Sequence, residues 1–516
     1  IPACAVFAAD ASDGLRIGWA TTDMTPEGRV AMAGGSRARI ASGVMDPITA
    51  TALVLESIRD GEQAERIVMV SMDLGSVREN VRDRVYEKLS ERLPEFDLSK
   101  LILNGTHTHA MPEARTAPDL VEKFHDLGVE VPLEWSWWGI DLDAKSPLEC
   151  AEFMAERIAE TIQRALENSE PGGVSFGLGH AVVGHNRLTA YYDGTSRMYG
   201  DTNTPEFSHV EGYEDHSVGL LYTYDADGEL TGVVVNIACP AQVSEGGTQI
   251  SADFWHETRE ELRSRLGESL YVLPQIAAAG DQSPHLLVDH RAEERMQQIM
   301  FPDVKSGRLS LGRRKQIAVR IADAVTSVLP YMEDHIDWDP MLAHRTEMVE
   351  LTRRRLPDAQ AAQENFERLF PKYVRLRQEI EDNPELREKN RWSDEVSNTY
   401  WHLARALRTI ERYELQQREP TLSVPVHVVR LGDLAIATNP FELYVDYGAQ
   451  IKARSRAVQT FTVQLASAYH QYLPTERSGA GGAYGAIPES NQAGPEGGRE
   501  LVERTLELIE SLWTED

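Results

Sequence analysis

The 516-residue chain is long enough to bury a large core, and 41% hydrophobic with 26% charged residues excludes wholesale disorder. Its 82 acidic against 52 basic residues leave a net charge of −30, which repels phosphate backbones and anionic membrane faces, so nucleic acid is a poor partner. Three cysteines, Cys4, Cys150 and Cys239, make no disulfide framework, and no stretch approaches the roughly 20 apolar residues of a transmembrane span.

Residues Ile1 to Asp10 resemble the tail of an export signal, with Val6 and Ala8 as small residues before a cleavage point. Residues 1–14 are therefore expected to be a signal remnant or disordered, the protein exported to the periplasm or beyond the cell, and Cys4 a candidate for lipid anchoring. From residue 15 the chain reads as strands and turns, with buried-strand patterns at Ala50–Leu55 and Arg66–Met72. A helix follows over 77–92, and then a strand at Leu101–Leu103, a βαβ rhythm that predicts a layered α/β fold. Residues 112–148 read as a tryptophan-rich loop carrying Trp135, Trp137 and Trp138, which either line a groove or pack on the body. A helix over 150–168 precedes strands at Gly172–Gly177, Val218–Tyr222 and Gly232–Ile237, the last two joined through Asp225-Ala-Asp-Gly228 as a hairpin. From 343 to 418 the chain turns charged and helical, with Phe366, Leu369, Tyr373, Leu376 and Ile380 striping one helix and Val396, Tyr400, Leu403, Leu407 and Ile410 another. Strands return at Ser423–Val429 and Leu434–Ala437, and a helix over 499–513 follows. The expected organisation is thus one catalytic domain, 15–342 with 419–516, interrupted by a helical insertion, 343–418.

Five segments carry chemistry. In Asn104-Gly-Thr-His-Thr-His109, which follows a strand, His107 and His109 stand two apart, and two such residues on an extended segment face one side. Imidazole is also the usual neutral nitrogen ligand of zinc. Ala279-Gly-Asp-Gln-Ser-Pro-His285 presents Ser283 at a turn opened by Gly280 and stiffened by Pro284. Cys239, after the strongest apolar strand, is either a thiolate ligand, a nucleophile or a small buried hydrophobe. Glu442 in Pro440-Phe-Glu442 either ligates a metal or caps a helix. Tyr469-His-Gln-Tyr-Leu-Pro-Thr475 is a polar, aromatic loop.

In this order the segments resemble the catalytic domain of the neutral/alkaline ceramidase family. Gly18-x5-Met24-Thr-Pro and Ser71-Met-Asp-Leu-Gly75 are similar to its N-terminal signature, and Thr106-His-Thr-His109 to its Thr-His-Thr-His. Asn186-Arg187, Gly280-Asp-Gln-Ser-Pro284, Phe441-Glu442 and Tyr472-Leu-Pro-Thr475 resemble its Asn-Arg, Gly-Asp-x-Ser-Pro, Gly-Glu and Tyr-x-Thr-Thr motifs, so the likeness spans roughly 15–290 and 423–512. The resemblance implies a layered mixed-sheet α/β domain and one zinc ion per chain, held by His107, Glu442 and Tyr472. It also implies that His109 and Asp281 belong to the catalytic group, that Ser283 contacts substrate or water, and that Asn186 and Arg187 bind polar substrate groups. The implied reaction is attack of a zinc-bound water on an amide carbonyl. At the family's second histidine ligand this chain has Cys239, so the fourth ligand is expected to be Cys239 or else His256. The immunoglobulin-like C-terminal domain of the family is not expected here. The altered loops point to a substrate other than ceramide, such as a polar or glycan-derived amide. They also leave open an isomerase or lyase of sugar derivatives, a catalytically inactive glycan- or lipid-binding protein, and a homo-oligomer joined through the insertion.

Overall fold

The computed structural model describes residues 13–388 and 390–514. The expected export remnant, with Cys4, Val6 and Ala8, lies outside the described residues except for its last two positions, and Gly14 already opens the first strand. Eight strands form the large sheet: β1 (Gly14–Asp23), β2 (Thr49–Arg59), β3 (Glu62–Met72), β4 (Leu101–Gly105), β5 (Glu170–His180), β6 (Ser217–Asp225), β7 (Leu230–Ile237) and β8 (Tyr271–Ile276). Their spatial order is β8-β7-β6-β5-β1-β2-β3-β4. The inner pairings are antiparallel, including the β6–β7 hairpin, whereas β3–β4 and β7–β8 at the two edges are parallel. Parallel neighbours need a crossover, which helices Glu79–Arg92 and Phe254–Leu266 supply.

Side-chain alternation builds the layers. Along β2, Ala50, Ala52 and Val54 join a core with helices Glu79–Arg92 and Pro147–Glu167, while Leu53 and Leu55 turn to the opposite face. On the other half of the sheet, helices Phe254–Leu266 and Leu311–Met332 cover Val218, Leu220, Val233 and Val235. The opposite face packs on a second sheet of β9 (Leu342–Thr352), β10 (Thr421–Leu431), β11 (Leu434–Thr438) and β12 (Gln459–Val463) in that order. There Leu53, Ile67, Leu221 and Leu273 meet Val429, Leu434, Ile436 and Phe461. Leu501, Val502, Leu508 and Ile509 of helix Pro495–Trp513 close the far side of that sheet. The result is a helix–sheet–sheet–helix sandwich of mixed α/β class. Among the described residues no helix is long and apolar enough to cross a membrane.

Two segments differ from the sequence reading. The stretch 343–418 is not helical throughout: its first ten residues belong to β9, which pairs along its length with β10. β9 is an edge strand, and Arg345, Glu347 and Glu350 on its wetter positions obscure the alternation that buries Val349 and Leu351. Among the described residues of this stretch, α-helices occupy Gln360–Asp382 and Asn390–Leu415, with a short 3-10 helix, Pro384–Glu388, between them. The tryptophan-rich stretch contains a helix, Pro118–Asp126, opened by a proline at its first position.

Trp135 and Trp138 are buried with Phe124 against Leu369, Tyr373, Leu376, Val396 and Tyr400 of the helical pair. The Tyr373 hydroxyl donates to the Gly139 carbonyl at 2.6 Å and Tyr400 to that of Ser136 at 2.7 Å. Gly139 has φ +67°, and a Cβ there would come within 2.3 Å of the Tyr400 ring. Gly139→Ala is therefore expected to lose about 1–3 kcal/mol through backbone strain and overpacking. Thermal unfolding tests this, and an unchanged melting temperature would mean that the helices do not dock on this turn.

Candidate active site

The site forms where strand ends from both sheets meet. Thr106 and His107 continue from β4 by donating backbone N–H groups to the carbonyls of Met72 and Leu74 beside the end of β3. Beneath them Asp73, fully buried, accepts from the Thr49 amide and hydroxyl, from Thr106 Oγ1, and from both terminal nitrogens of Arg259 at 2.8 and 3.0 Å. The strand ends at Gly105, so His107 and His109 are not brought together by extended alternation. Instead His107 adopts a left-handed backbone, φ +60°, a conformation that costs a β-carbon residue about 1 kcal/mol or more and clusters at functional sites.

That turn aims both rings into one cavity. His107 Nδ1 lies 2.5 Å from the Gly75 carbonyl, so its proton is directed there and the Nε2 lone pair is left free. His109 Nε2 accepts from the Gln242 amide at 2.9 Å and lies 3.4 Å from His107 Nε2. Burial and the neighbouring His107 lower His109 to about 3, so it is a neutral imidazole. Glu442 Oε2 stands 3.5 Å from His107 Nε2. Burial would raise that carboxyl, but His107, Arg187 and a hydrogen bond from Tyr472 bring it down to about 2, and it is ionised.

Glu442 and Tyr472 are direct partners in a short parallel pairing, which places the carboxylate and the phenol side by side. Tyr469 donates to Glu442 Oε1 at 3.0 Å. Gly280 lies under Glu442: its N–H donates to the Leu443 carbonyl, and a Cβ would fall 2.3 Å from the Glu442 carbonyl oxygen. Arg187, 4% exposed, donates through Nη2 to the Gly280 carbonyl at 2.8 Å and to the Tyr472 hydroxyl at 3.2 Å. Burial disfavours its charge, but Tyr472, Tyr199 and Glu442 outweigh that, and it remains a cation.

His107, His109, Arg187, Glu442 and Tyr472 thus line one cavity of about 540 Å³. Residues 15–129 match the model of the N-terminal region of neutral/alkaline non-lysosomal ceramidases. Over that N-terminal stretch the chain is similar to the neutral/alkaline ceramidase family. Its fold is similar to that of neutral ceramidase from Pseudomonas aeruginosa, with TM-score 0.65 and 16% identity over 98% of this chain and 75% of that one. A ceramidase complexed with C2 is also similar, with TM-score 0.63 and 16% identity over 98% of this chain and 76% of that one. No curated protein matches the chain in sequence.

Other residues that the ceramidase motifs single out lie off the cavity wall. Ser283 is fully buried and accepts from the Tyr199 hydroxyl at 3.1 Å, so Tyr199 stands between it and the cavity. Asp281 accepts from Asn186 Nδ2 and from the Val445 amide, each at 2.9 Å, and burial raises its carboxyl to about 6. The Asn186–Asp281 pair therefore braces the turn that carries Arg187. His256 sits on the first turn of helix Phe254–Leu266, away from the wall.

Cys239, expected as a ligand, does not line the cavity. It is fully buried among Val183, Ala241, Val243 and Trp255, its Sγ 3.5 Å from the Val183 carbonyl, and burial pushes its thiol well upward. Sequence reasoning missed Gln242 and Glu245, three and six residues further on, which do reach the cavity. Glu245 lies 3.9 Å from His109 Nδ1 and 3.4 Å from His285 Nε2. Burial would raise Glu245, but His285 and His109 lower it, and it is ionised. Two polar residues just beyond an apolar strand were the available signal.

Among the described residues no three His, Cys, Asp or Glu side chains form a ready-made metal group. The donors here are of mixed type and meet in pairs. His107 Nε2 and His109 Nε2 are 3.4 Å apart, with Glu442 Oε2 3.5 Å from the former; the Gly75 carbonyl leaves the His107 Nε2 lone pair free, whereas that of His109 Nε2 accepts from Gln242. Ligands about 2.0–2.1 Å from a tetrahedral zinc lie about 3.3–3.4 Å from one another. The two spacings fit such an ion.

Proposed function

We propose that the chain is a zinc-dependent hydrolase of ceramidase type, cleaving an amide or related bond, with His107, His109, Glu442 and Tyr472 as the zinc-holding residues. The carrying observation is that His107 Nε2 stands 3.4 Å from His109 Nε2 and 3.5 Å from the ionised Glu442 carboxylate in one cavity. The match of residues 15–129 to the ceramidase model supports the hydrolytic class. In this reading His109 fills the second histidine position in place of Cys239. Zinc would supply Lewis-acid polarisation of the substrate carbonyl and a more acidic water.

The protein's own residues do the rest. The Gly75 carbonyl fixes the His107 tautomer, and Tyr469 and Tyr472 hold the Glu442 carboxylate in place. Arg187 presents a permanent positive charge where oxyanion charge develops. Tyr199 carries the Ser283 hydroxyl's influence to the cavity wall.

The test is hydrolysis of paired N-acyl lipids and N-acyl amino sugars in ¹⁸O-water. Amide cleavage with one labelled oxygen in the released carboxylate is expected. A rearranged or eliminated product carrying no label would replace this reading with an isomerase or lyase.

A further inference from the structure

We infer that the substrate carries an anionic group, a carboxylate, sulfate or phosphate, which Arg78 and Arg405 grip at the cavity mouth while its scissile bond lies at His107. The inference rests on this cavity being the catalytic one, as proposed above, and it concerns a different wall of it. In a chain of net charge −30, the cavity is lined by Arg78, Arg115, Arg187, Arg405, Arg408 and Arg412 against Glu245, Glu442 and Glu489. Such an inversion of sign inside an acidic protein concentrates positive potential in one cleft.

Four of these arginines are engaged. Arg115 makes a two-pronged contact with Glu113 at 2.5 and 2.7 Å, and Arg408 meets Asp119 at 3.3 Å. Arg187 stands 3.9 Å from Glu442, and Arg412 donates to the carbonyls of Pro488 and Asn491. Among the described residues, Arg78 and Arg405 reach no carboxylate. Arg78 Nε donates to Ser76 Oγ at 3.1 Å, and its two terminal nitrogens find no acceptor among the described residues. Arg405 donates only to hydroxyls, Ser490 at 2.8 Å and Tyr484 at 3.5 Å.

The surroundings raise the cost of leaving these charges alone. Arg78, Arg115 and Arg408 crowd the Trp137 ring at 5.4, 4.1 and 5.4 Å from its centroid. Burial, reinforced by Arg115 and Arg408, lowers Arg78 to about 10, so it is still a cation at neutral pH. The buried Trp137 indole N–H, on the same cavity lining, has no acceptor among the described residues. One guanidinium without a carboxylate, Arg78, and an unused donor beside the same ring form a site that an anion completes.

Position connects this mouth to the chemistry. Arg78 stacks 3.5 Å over Tyr469, whose hydroxyl donates to Glu442. Arg405 lies 5.3 Å from the Tyr484 ring, which abuts Tyr472 at 6.0 Å. Each free guanidinium is thus one or two rings from the proposed zinc ligands, the span of a small substrate whose charged end and scissile bond are a few bonds apart. The guanidinium fork matches the paired oxygens of a carboxylate, sulfate or phosphate. A neutral lipid amide would leave both forks uncompensated.

The test is calorimetric titration of the full chain with sodium phosphate, sulfate and acetate in chloride buffers of matched ionic strength. Wild type is expected to bind at least one of them specifically. Affinity should fall about tenfold or more in Arg78→Gln and Arg405→Gln, as for loss of a charge-assisted contact. It should be unchanged in Arg456→Gln, an exposed arginine paired with Glu510. Melting curves check folding, and Arg78→Lys, which keeps the charge and loses the fork, should fall between wild type and Arg78→Gln. No specific binding by wild type to any of the three anions, or equal binding by all variants, overturns the inference. His107→Ala should keep anion binding, so failure of the hydrolytic reading and failure of the anion site are read separately.

Discussion

Asp73→Ala is expected to cost about 3–5 kcal/mol of folding stability, because it strands a buried guanidinium. Asp73 and Arg259 are 0% and 5% exposed, and the carboxylate is the only one that Arg259 reaches among the described residues. The same carboxylate accepts from Thr49 and Thr106, so its loss also frees the turn that sets the His107 backbone. Chemical denaturation should show a lower midpoint, and the variant should lose the His107 geometry even where it folds. A loss under about 1 kcal/mol would mean that Arg259 finds water or another acceptor, contrary to the usual cost of an unpaired buried charge. Replacing both partners with apolar residues should recover part of the loss, since the pair's own desolvation is then no longer incurred.

Metal content provides the second large effect. Wild-type protein is expected to retain about one zinc ion per chain through dialysis, whereas His107→Ala and His109→Ala should bind it at least tenfold more weakly, in line with losses on removing ligands or their supports. Cys239→Ser should retain the metal in full, because its thiol faces the Val183 carbonyl in an apolar core. His256→Ala should behave like wild type. Elemental analysis of the four variants reads this without any substrate. Loss of zinc in Cys239→Ser with retention in His109→Ala would reverse the ligand assignment.

Much of the fold was legible because strand cores announce themselves. Ala50–Leu55, Arg66–Met72 and Gly232–Ile237 are runs of apolar and β-branched residues, and all lie in the large sheet. β9 was not legible, since its exposed charges mask the few buried positions of an edge strand. At the site, order along the chain picked out His107, His109, Arg187, Glu442 and Tyr472, which share one cavity wall. It could not show that the two histidines meet through a left-handed turn rather than an extended strand, because backbone torsion leaves no mark in a Thr-His-Thr-His string. Cys239 was expected as a ligand because it stands where the ceramidase motif has its second histidine, and a residue after a strand has the same signature whether it faces a site or a core. The arginine mouth was invisible: Arg78, Arg115, Arg405 and Arg408 come from segments up to 330 positions apart and vanish in the acidic total.

The helical pair has a consequence for how such a protein diversifies. Its inner face is keyed into the tryptophan stretch through Tyr373 and Tyr400, and its second helix sends Trp401, Arg405, Arg408 and Arg412 to the cavity. The residues proposed to break the bond come instead from strand ends and short turns of the sandwich. In this reading the helical pair supplies Arg405 to selectivity while Arg78 and the reacting groups stay with the sandwich. Grafting a different helical pair onto the same strand ends would redirect which molecules are admitted while the hydrolytic machinery stayed in place.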